Sequence, residues 1–246
     1  MHSRFMTIVP EGAGRQAQLF YPIDCLLIRI AQCPMPNAFK QGDHICALYE
    51  SEHEQLSTAA AYVADGLAHA ERCYYVGQSP QALPRFRESL AREGIDVADA
   101  VKGGALILAT HQEAHLAEGR FDCERMLRLL NDAVEAALND GFIGLRTCGD
   151  MSWLLDRPAG SEQVVEYEML LNQFFHAVRA MGMCQYDARR LPPDLVDQAL
   201  CAHSSVAVDG RHVGNPHYSP AVVVARRAAA SVGELRNKVE ELRRLA

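Results

Sequence analysis

The 246-residue sequence has no CxxC pair, no apolar run approaching 18 residues, no excess of basic side chains and a single tryptophan. Each absence removes a class of protein. The longest suspicious apolar segment, Cys25 to Ala31, is short and interrupted by Arg29, so no membrane span is expected. The amino-terminal residues also lack the charged, apolar, small-residue order of a secretory signal. Acidic side chains outnumber basic ones by 31 to 24, a net charge of −7, which argues against direct binding to phosphate backbones. Eight cysteines, at 25, 33, 46, 73, 123, 148, 184 and 201, lie mostly inside apolar runs such as His44-Ile45-Cys46-Ala47-Leu48-Tyr49. A small secreted disulfide scaffold looks different. The thiols are read as reduced core residues of a soluble, cytoplasmic protein.

Several catalytic signatures are missing as well. A nucleotide-dependent motor carries GxxxxGK[ST] after its first strand. Here that place reads Glu50-Ser51-Glu52-His53-Glu54-Gln55-Leu56-Ser57, with no glycine, no lysine and three carboxylates. ATP hydrolysis is not expected, although Asp150 follows a strand as a magnesium-binding aspartate would. His111-Gln112-Glu113-Ala114-His115 spaces two histidines by four but misplaces the glutamate of HExxH. There is no GxSxG elbow and no zinc-deaminase spacing. Gly12 to Ala17 imitates a dinucleotide fingerprint, yet Pro10 spoils the strand that must precede it.

What is present is alternation between two periods. His44 to Tyr49, Cys73 to Val76, Ala105 to Ala109, Phe142 to Arg146 and Met183 to Tyr186 read as short, uniformly apolar strands. Between them, Glu52 to His69, Pro80 to Glu93, Cys123 to Asn139 and Glu162 to Met181 carry helical spacing, and Asp194 to Ala202 adds a helix after Pro192-Pro193. Val206 to Val208 and the turn Asp209-Gly210 suggest a terminal hairpin. The pattern predicts an α/β three-layer sandwich with a mostly parallel central sheet. Val232, Leu235, Val239 and Leu242 then follow the seam spacing of a coiled coil. That stretch is expected either to mediate a homodimer or to pack as an amphipathic strut on its own domain.

In parallel sheets ligands bind beyond the carboxyl ends of the strands. A pocket there, lined by Tyr49, Trp153 and Tyr186 with Asp150 and Asp187 as polar anchors, suits a small, partly apolar ligand. A second, scattered set is His44 and Cys46 on one face of the first strand, Cys184 on the fifth, and His203 after the last helix. Thiolates and imidazoles can make a zinc, copper or iron site. Buried cysteines and a capping histidine account for the same letters, so no metal ligand and no cofactor is assigned.

Gly42 to Tyr49, Gly144 to Trp153, Tyr167-Glu168, Cys184 to Asp187, Asp209-Gly210 and Asn215 to Tyr218, in this order, resemble the MEDS domain, the sensory domain of methanogen and methylotroph regulators. The resemblance implies a RecA/KaiC-like fold with a degenerate phosphate loop. It divides the chain into a poorly patterned leader (1–41), a sensory domain (42–220) and a C-terminal amphipathic helix (221–246). It carries His44, the Asp150–Trp153 segment, Glu168, Cys184, Tyr186 and His203 as family-typical positions. His217 departs from it, standing where the family often has an aromatic. The function so implied is a non-enzymatic sensory module that binds a small, hydrocarbon-derived molecule and regulates a kinase or a transcription partner. The alternative is a metal- or nucleotide-binding enzyme derived from a RecA-like ATPase.

Overall fold

The computed structural model describes residues 39–219 and 232–246, the side chains of 232–235 excepted. The leader as far as residue 38, with Cys25 and Cys33, lies outside the described residues, as do the side chains of Val232 and Leu235. Seven strands form one sheet: β1 (His44–Tyr49), β2 (Arg72–Gly77), β3 (Leu106–Thr110), β4 (Leu145–Asp150), β5 (Ala180–Asp187), β6 (Ser205–Val208) and β7 (Arg211–Gly214). Their order is β3-β2-β4-β5-β1-β6-β7, parallel throughout except for the antiparallel β6–β7 hairpin. The helices are α1 (Glu52–Ala68), α2 (Leu83–Arg92), α3 (Val97–Lys102), α4 (Cys123–Asn139), α5 (Val164–Ala177), α6 (Pro193–Ala202) and α7 (Val232–Leu245).

Strand alternation divides the core in two. Ile45, Ala47 and Met183 meet Ala59, Tyr62 and Val63 of α1 and Phe86 and Leu90 of α2 on one face. Cys46, Leu48, Cys184 and Tyr186 meet α4, α5 and α6 on the other, where Val239 and Leu242 of α7 also sit. This is the three-layer α/β sandwich that the strand–helix alternation predicts.

Several boundaries and one short helix differ from the sequence reading. The fourth strand begins at Leu145 rather than Phe142. Phe142 closes the turn after α4 by donating its N–H to Ala137 O, and its ring lies under the Arg72 guanidinium, while Ile143 is half exposed. The strand instead runs through the polar letters Thr147-Cys148-Gly149-Asp150. The long helix stops at Ala177, because Val178 turns extended and Ala180 to Asp187 become the fully buried β5 between β4 and β1. Gly182 makes this possible. A Cβ there would stand 2.3 Å from the Phe175 ring, so the end of α5 packs directly on the strand. The short α3, capped by Asp96 on Asp99 N, was hidden by its six-residue length.

The apolar seam of α7 is used within the chain. Val239 and Leu242 are 5% and 0% exposed in the domain core, so these two residues are not free to face a second copy. Lys238 pairs with Asp197 of α6, Glu241 with His217, and Arg243 with Asp209 and Glu50. The helix is a strut on its own domain.

Trp153 is not at a pocket mouth either. It follows β4 in a 3-10 turn, is 2% exposed, and stacks between His115 and Phe121 with ring centroids 5.5 Å and 4.9 Å away. Burial, reinforced by neighbouring His111, pushes His115 down to about 3. Its Nδ1 makes no hydrogen bond among the described residues.

On the opposite face Arg146, 2% exposed, donates to Glu71 at 2.5 Å, to Asp65 at 2.7 Å and to Tyr62 O at 2.9 Å. The tyrosine ring stacks beneath it, 4.8 Å from the guanidinium carbon. Removing one partner of a buried ion pair strands the other charge. Glu71→Ala is therefore expected to lower the unfolding free energy by about 3 kcal/mol, read as a fall in the urea midpoint. An unchanged midpoint would show that Asp65 alone satisfies Arg146.

His115 generates a pH prediction. Its folded-state value lies below the ordinary 6.5, so the unfolded chain binds this proton first as pH falls. Its contribution to stability is complete above 6.5 and drains away towards 3, at about 1.4 kcal/mol per pH unit. Urea titrations from pH 7 to pH 4 should show this slope in the parent and a shallower one in His115→Leu. Parallel curves would place the acid sensitivity elsewhere.

Candidate functional site

The carboxyl ends of β1, β4 and β5 open into a cleft of about 430 Å³. Tyr49, Asp150 and Asp187, three of the expected pocket residues, line it together with Glu50, Arg189 and Arg190. Asp150 is held in place: its carboxylate accepts from Ser152 N and Ser152 Oγ, both at 2.9 Å, and from the Tyr49 hydroxyl at 3.3 Å. Burial, with Asp150 and Asp187 beside it, pushes the Tyr49 phenol well up, so it stays a neutral donor. Asp187 accepts from the amides of Arg189 and Arg190 at 3.0 Å each, which folds the β5–α6 loop back so that both arginines stand on the cleft wall. The lining is predominantly polar, with Tyr49 as its aromatic member, so the cleft favours a ligand with hydrogen-bonding groups.

The turn from β1 into α1 is where a phosphate loop would lie. Two of its amides are already taken: Glu54 N donates to Ser51 Oγ at 3.2 Å, and Glu50 N donates to the Glu54 carboxylate at 2.8 Å. This is a helix N-terminus capped by its own serine and glutamate. An incoming phosphate would meet the carboxylates of Glu50, Glu52 and Glu54 and no lysine.

The cleft does not contain the rest of the expected set. Tyr186 alternates away from Asp187 and points beneath the sheet, where its hydroxyl donates to Glu168 Oε1 at 2.6 Å. There four buried side chains from different elements converge: His44 from the start of β1, Cys184 from β5, Glu168 from α5 and His203 from the end of α6. Their donor atoms all lie within 4.8 Å of one another. Glu168 Oε2 is 3.1 Å from His44 Nε2 and 3.2 Å from His203 Nε2, and Cys184 Sγ is 3.6 Å from His44 Nε2. Burial, then the nearby His203, pushes His44 below its ordinary value, and burial pushes the Cys184 and Tyr186 protons well up. Cys46 is opposite Cys184 in the β1–β5 register but packs in the apolar core, outside this set.

The outer contacts of the cluster fix both imidazoles. His203 Nδ1 donates to Ala199 O at 2.7 Å, and His44 Nδ1 donates to Asn172 Oδ1 at 3.1 Å. Asn172 is oriented in turn, its amide nitrogen donating to Glu168 O and Ala202 O at 3.2 Å and 2.8 Å. The sequence reading missed Asn172. The signal was its position one turn after Glu168 on the same helix face. It also missed Glu50, Arg189 and Arg190, which carry no motif.

The expected residues thus divide into a strand-end cleft (Tyr49, Asp150, Asp187), an interior polar cluster (His44, Glu168, Cys184, Tyr186, His203) and core packing (Cys46, Trp153). A family model for MEDS, the MEthanogen/methylotroph, DcmR Sensory domain, matches residues 43–204. The chain is also 29% identical over 162 residues to the transcriptional repressor DcmR of Methylorubrum extorquens (strain DSM 6343 / CIP 106787 / DM4). That alignment takes in 65% of this chain and 58% of the repressor, so it spans less than two thirds of the relative. Among solved structures, the crystal structure of the KaiC-like protein PH0186 from Pyrococcus horikoshii OT3 is similar over 69% of this chain and 71% of that one, with 14% identity and a TM-score of 0.49. The family match covers both the cleft and the interior cluster, and the chain belongs to the MEDS family of sensory domains.

Proposed function

We propose that the strand-end cleft is the sensing site, and that a small molecule with at least one hydrogen-bonding group, an oxygenated hydrocarbon derivative, changes the seating of α7 when it binds there. A transcription regulator is the output this reading favours, supported by the repressor among its relatives.

One observation carries the proposal. Glu50 and Arg189 line the cleft and also line an adjoining depression of about 500 Å³ against α7, where Arg236, Glu240 and Arg243 face them. Glu50 is ion-paired with Arg243 of that helix at 3.4 Å. Both partners are substantially exposed, so the pair contributes about 1 kcal/mol or less. A contact of that size ties the cleft edge of the helix without locking it, and a ligand that competes for Glu50 or Arg189 shifts the population of that contact. The capped β1–α1 turn, acidic and without a lysine, supports a reading without nucleotide hydrolysis.

Thermal denaturation of the full chain across a panel of such compounds tests this. A bound compound at about 100 times its Kd stabilises by about 2.7 kcal/mol, a rise in Tm that Arg189→Ala should remove. Arg243→Gln should keep the rise but lose any ligand effect on proteolysis at α7. Compounds that raise Tm equally in Arg189→Ala would place the sensing site elsewhere. Magnesium-dependent ATP turnover that Asp150→Ala abolishes would favour the enzyme instead.

A further inference from the structure

We infer that His44, Glu168, Cys184 and His203 form a closed, four-ligand site for a divalent transition-metal ion of the zinc class. This goes beyond the sensory reading and is independent of it, because the cluster lies beneath the sheet and shares no residue with the cleft.

The first argument is geometric. A tetrahedral ion with two nitrogen, one oxygen and one sulfur ligand at usual bond lengths separates its donor atoms by about 3.3–3.7 Å. The contacts among the four groups are 3.1, 3.2 and 3.6 Å, with every donor atom within 4.8 Å of the others. Side chains from four separate elements thus hold three of the six edges close to those of a coordination tetrahedron, and the rest within a small closing movement of it.

The second argument concerns protons. Both imidazoles spend Nδ1–H on an outer acceptor, Ala199 O for His203 and Asn172 Oδ1 for His44. Each therefore turns the lone pair of Nε2 inward. Metal-binding histidines are oriented in this way, by a hydrogen bond from the far nitrogen. The inward carboxylate oxygen is another lone-pair donor, while its partner oxygen is fixed by the Tyr186 hydroxyl. Glu168 Oε2 and His203 Nε2 approach one another yet make no hydrogen bond among the described residues. Buried polar atoms are normally satisfied, and convergent lone pairs with no proton between them are satisfied by a cation.

The third argument is charge. His44, Glu168 and His203 are at most 2% exposed and Cys184 is 7% exposed. A carboxylate and a thiolate beside two neutral imidazoles sum to −2, which one divalent ion cancels. The soft sulfur and the imidazoles select zinc-type ions over magnesium or calcium. On binding, the Cys184 proton leaves to solvent as the metal–sulfur bond forms. With four protein ligands and no open position the site is structural. It ties β1, β5, α5 and the exit of α6 together.

Elemental analysis of the full chain, purified without a metal-affinity step, should find one zinc-class ion per molecule. Removing it with a chelator should lower Tm, and zinc should restore it. Cobalt(II) loaded into the stripped protein should give tetrahedral d–d bands and a thiolate-to-cobalt charge-transfer band. Cys184→Ser should lose that band and bind cobalt about tenfold or more weakly. If this variant does not fold, the parent's cobalt spectrum decides alone. A metal-free protein whose Tm and spectrum do not respond to zinc or cobalt would overturn the site and leave the cluster an imidazole–carboxylate pair. Neither result bears on whether Arg189→Ala loses ligand binding at the cleft.

Discussion

A carboxylate has been placed where water cannot reach it, and much of this fold is arranged around that fact. Glu168 lies under the centre of the sheet, and burying a charge without compensation is among the costliest things a fold can do. Compensation comes from four directions: His44 at the start of β1, Cys184 on β5, His203 at the end of α6 and Tyr186 further along β5. Each contact constrains an element. The register that sets Cys46 against Cys184 also places His44 two residues earlier on the same face. Asn172, one turn beyond Glu168, binds the carbonyl of Ala202 and so fixes where α6 ends and β6 begins.

The opposite face solves a similar problem differently. Arg146 is as deeply buried as Glu168, but it is answered by Glu71, Asp65, a carbonyl and two aromatic rings. Its hydrogen bonds are direct and short, and the group is complete as it stands. Gly66 in α1 makes the room, since a Cβ there would come within 2.6 Å of the arginine side chain. One face therefore carries a finished ion pair and the other a buried cluster of two imidazoles, a carboxylate and a thiol.

At the carboxyl end of the sheet the fold turns to solvent. Two amides of the β1–α1 turn are used by Ser51 and Glu54, and α7, seated in the core by Val239 and Leu242, faces the cleft with the partly exposed ion pairs of Arg243. Partly exposed contacts of that kind beside a cleft are where population shifts are cheap. The interior cluster and the cleft thus differ in kind, the first buried within the fold and the second open to solvent.

Local patterns set the chain order of strands and helices, because a buried parallel strand and an amphipathic helix each write their period into consecutive residues. The missing phosphate loop was legible in the same way, from the absent glycine and lysine after β1, whereas the capping of α1 by Ser51 and Glu54 emerged only with the structure. The order of the family motifs brought His44, Glu168, Cys184, Tyr186 and His203 forward together. What the sequence could not show was which of them meet. Tyr186 and Asp187 are neighbours in sequence, yet the pleat sends one into the interior and the other into the cleft. Trp153 follows Asp150 by three residues and still belongs to the core, because the 3-10 turn carries it onto Phe121. The seam of α7 reads equally well as a dimer interface or as a strut, since periodicity records an apolar face and not its partner. The polar strand Thr147 to Asp150 was hidden because its burial comes from β2 and β5 on either side. Those contacts join residues far apart in the chain, and only tertiary packing decides them.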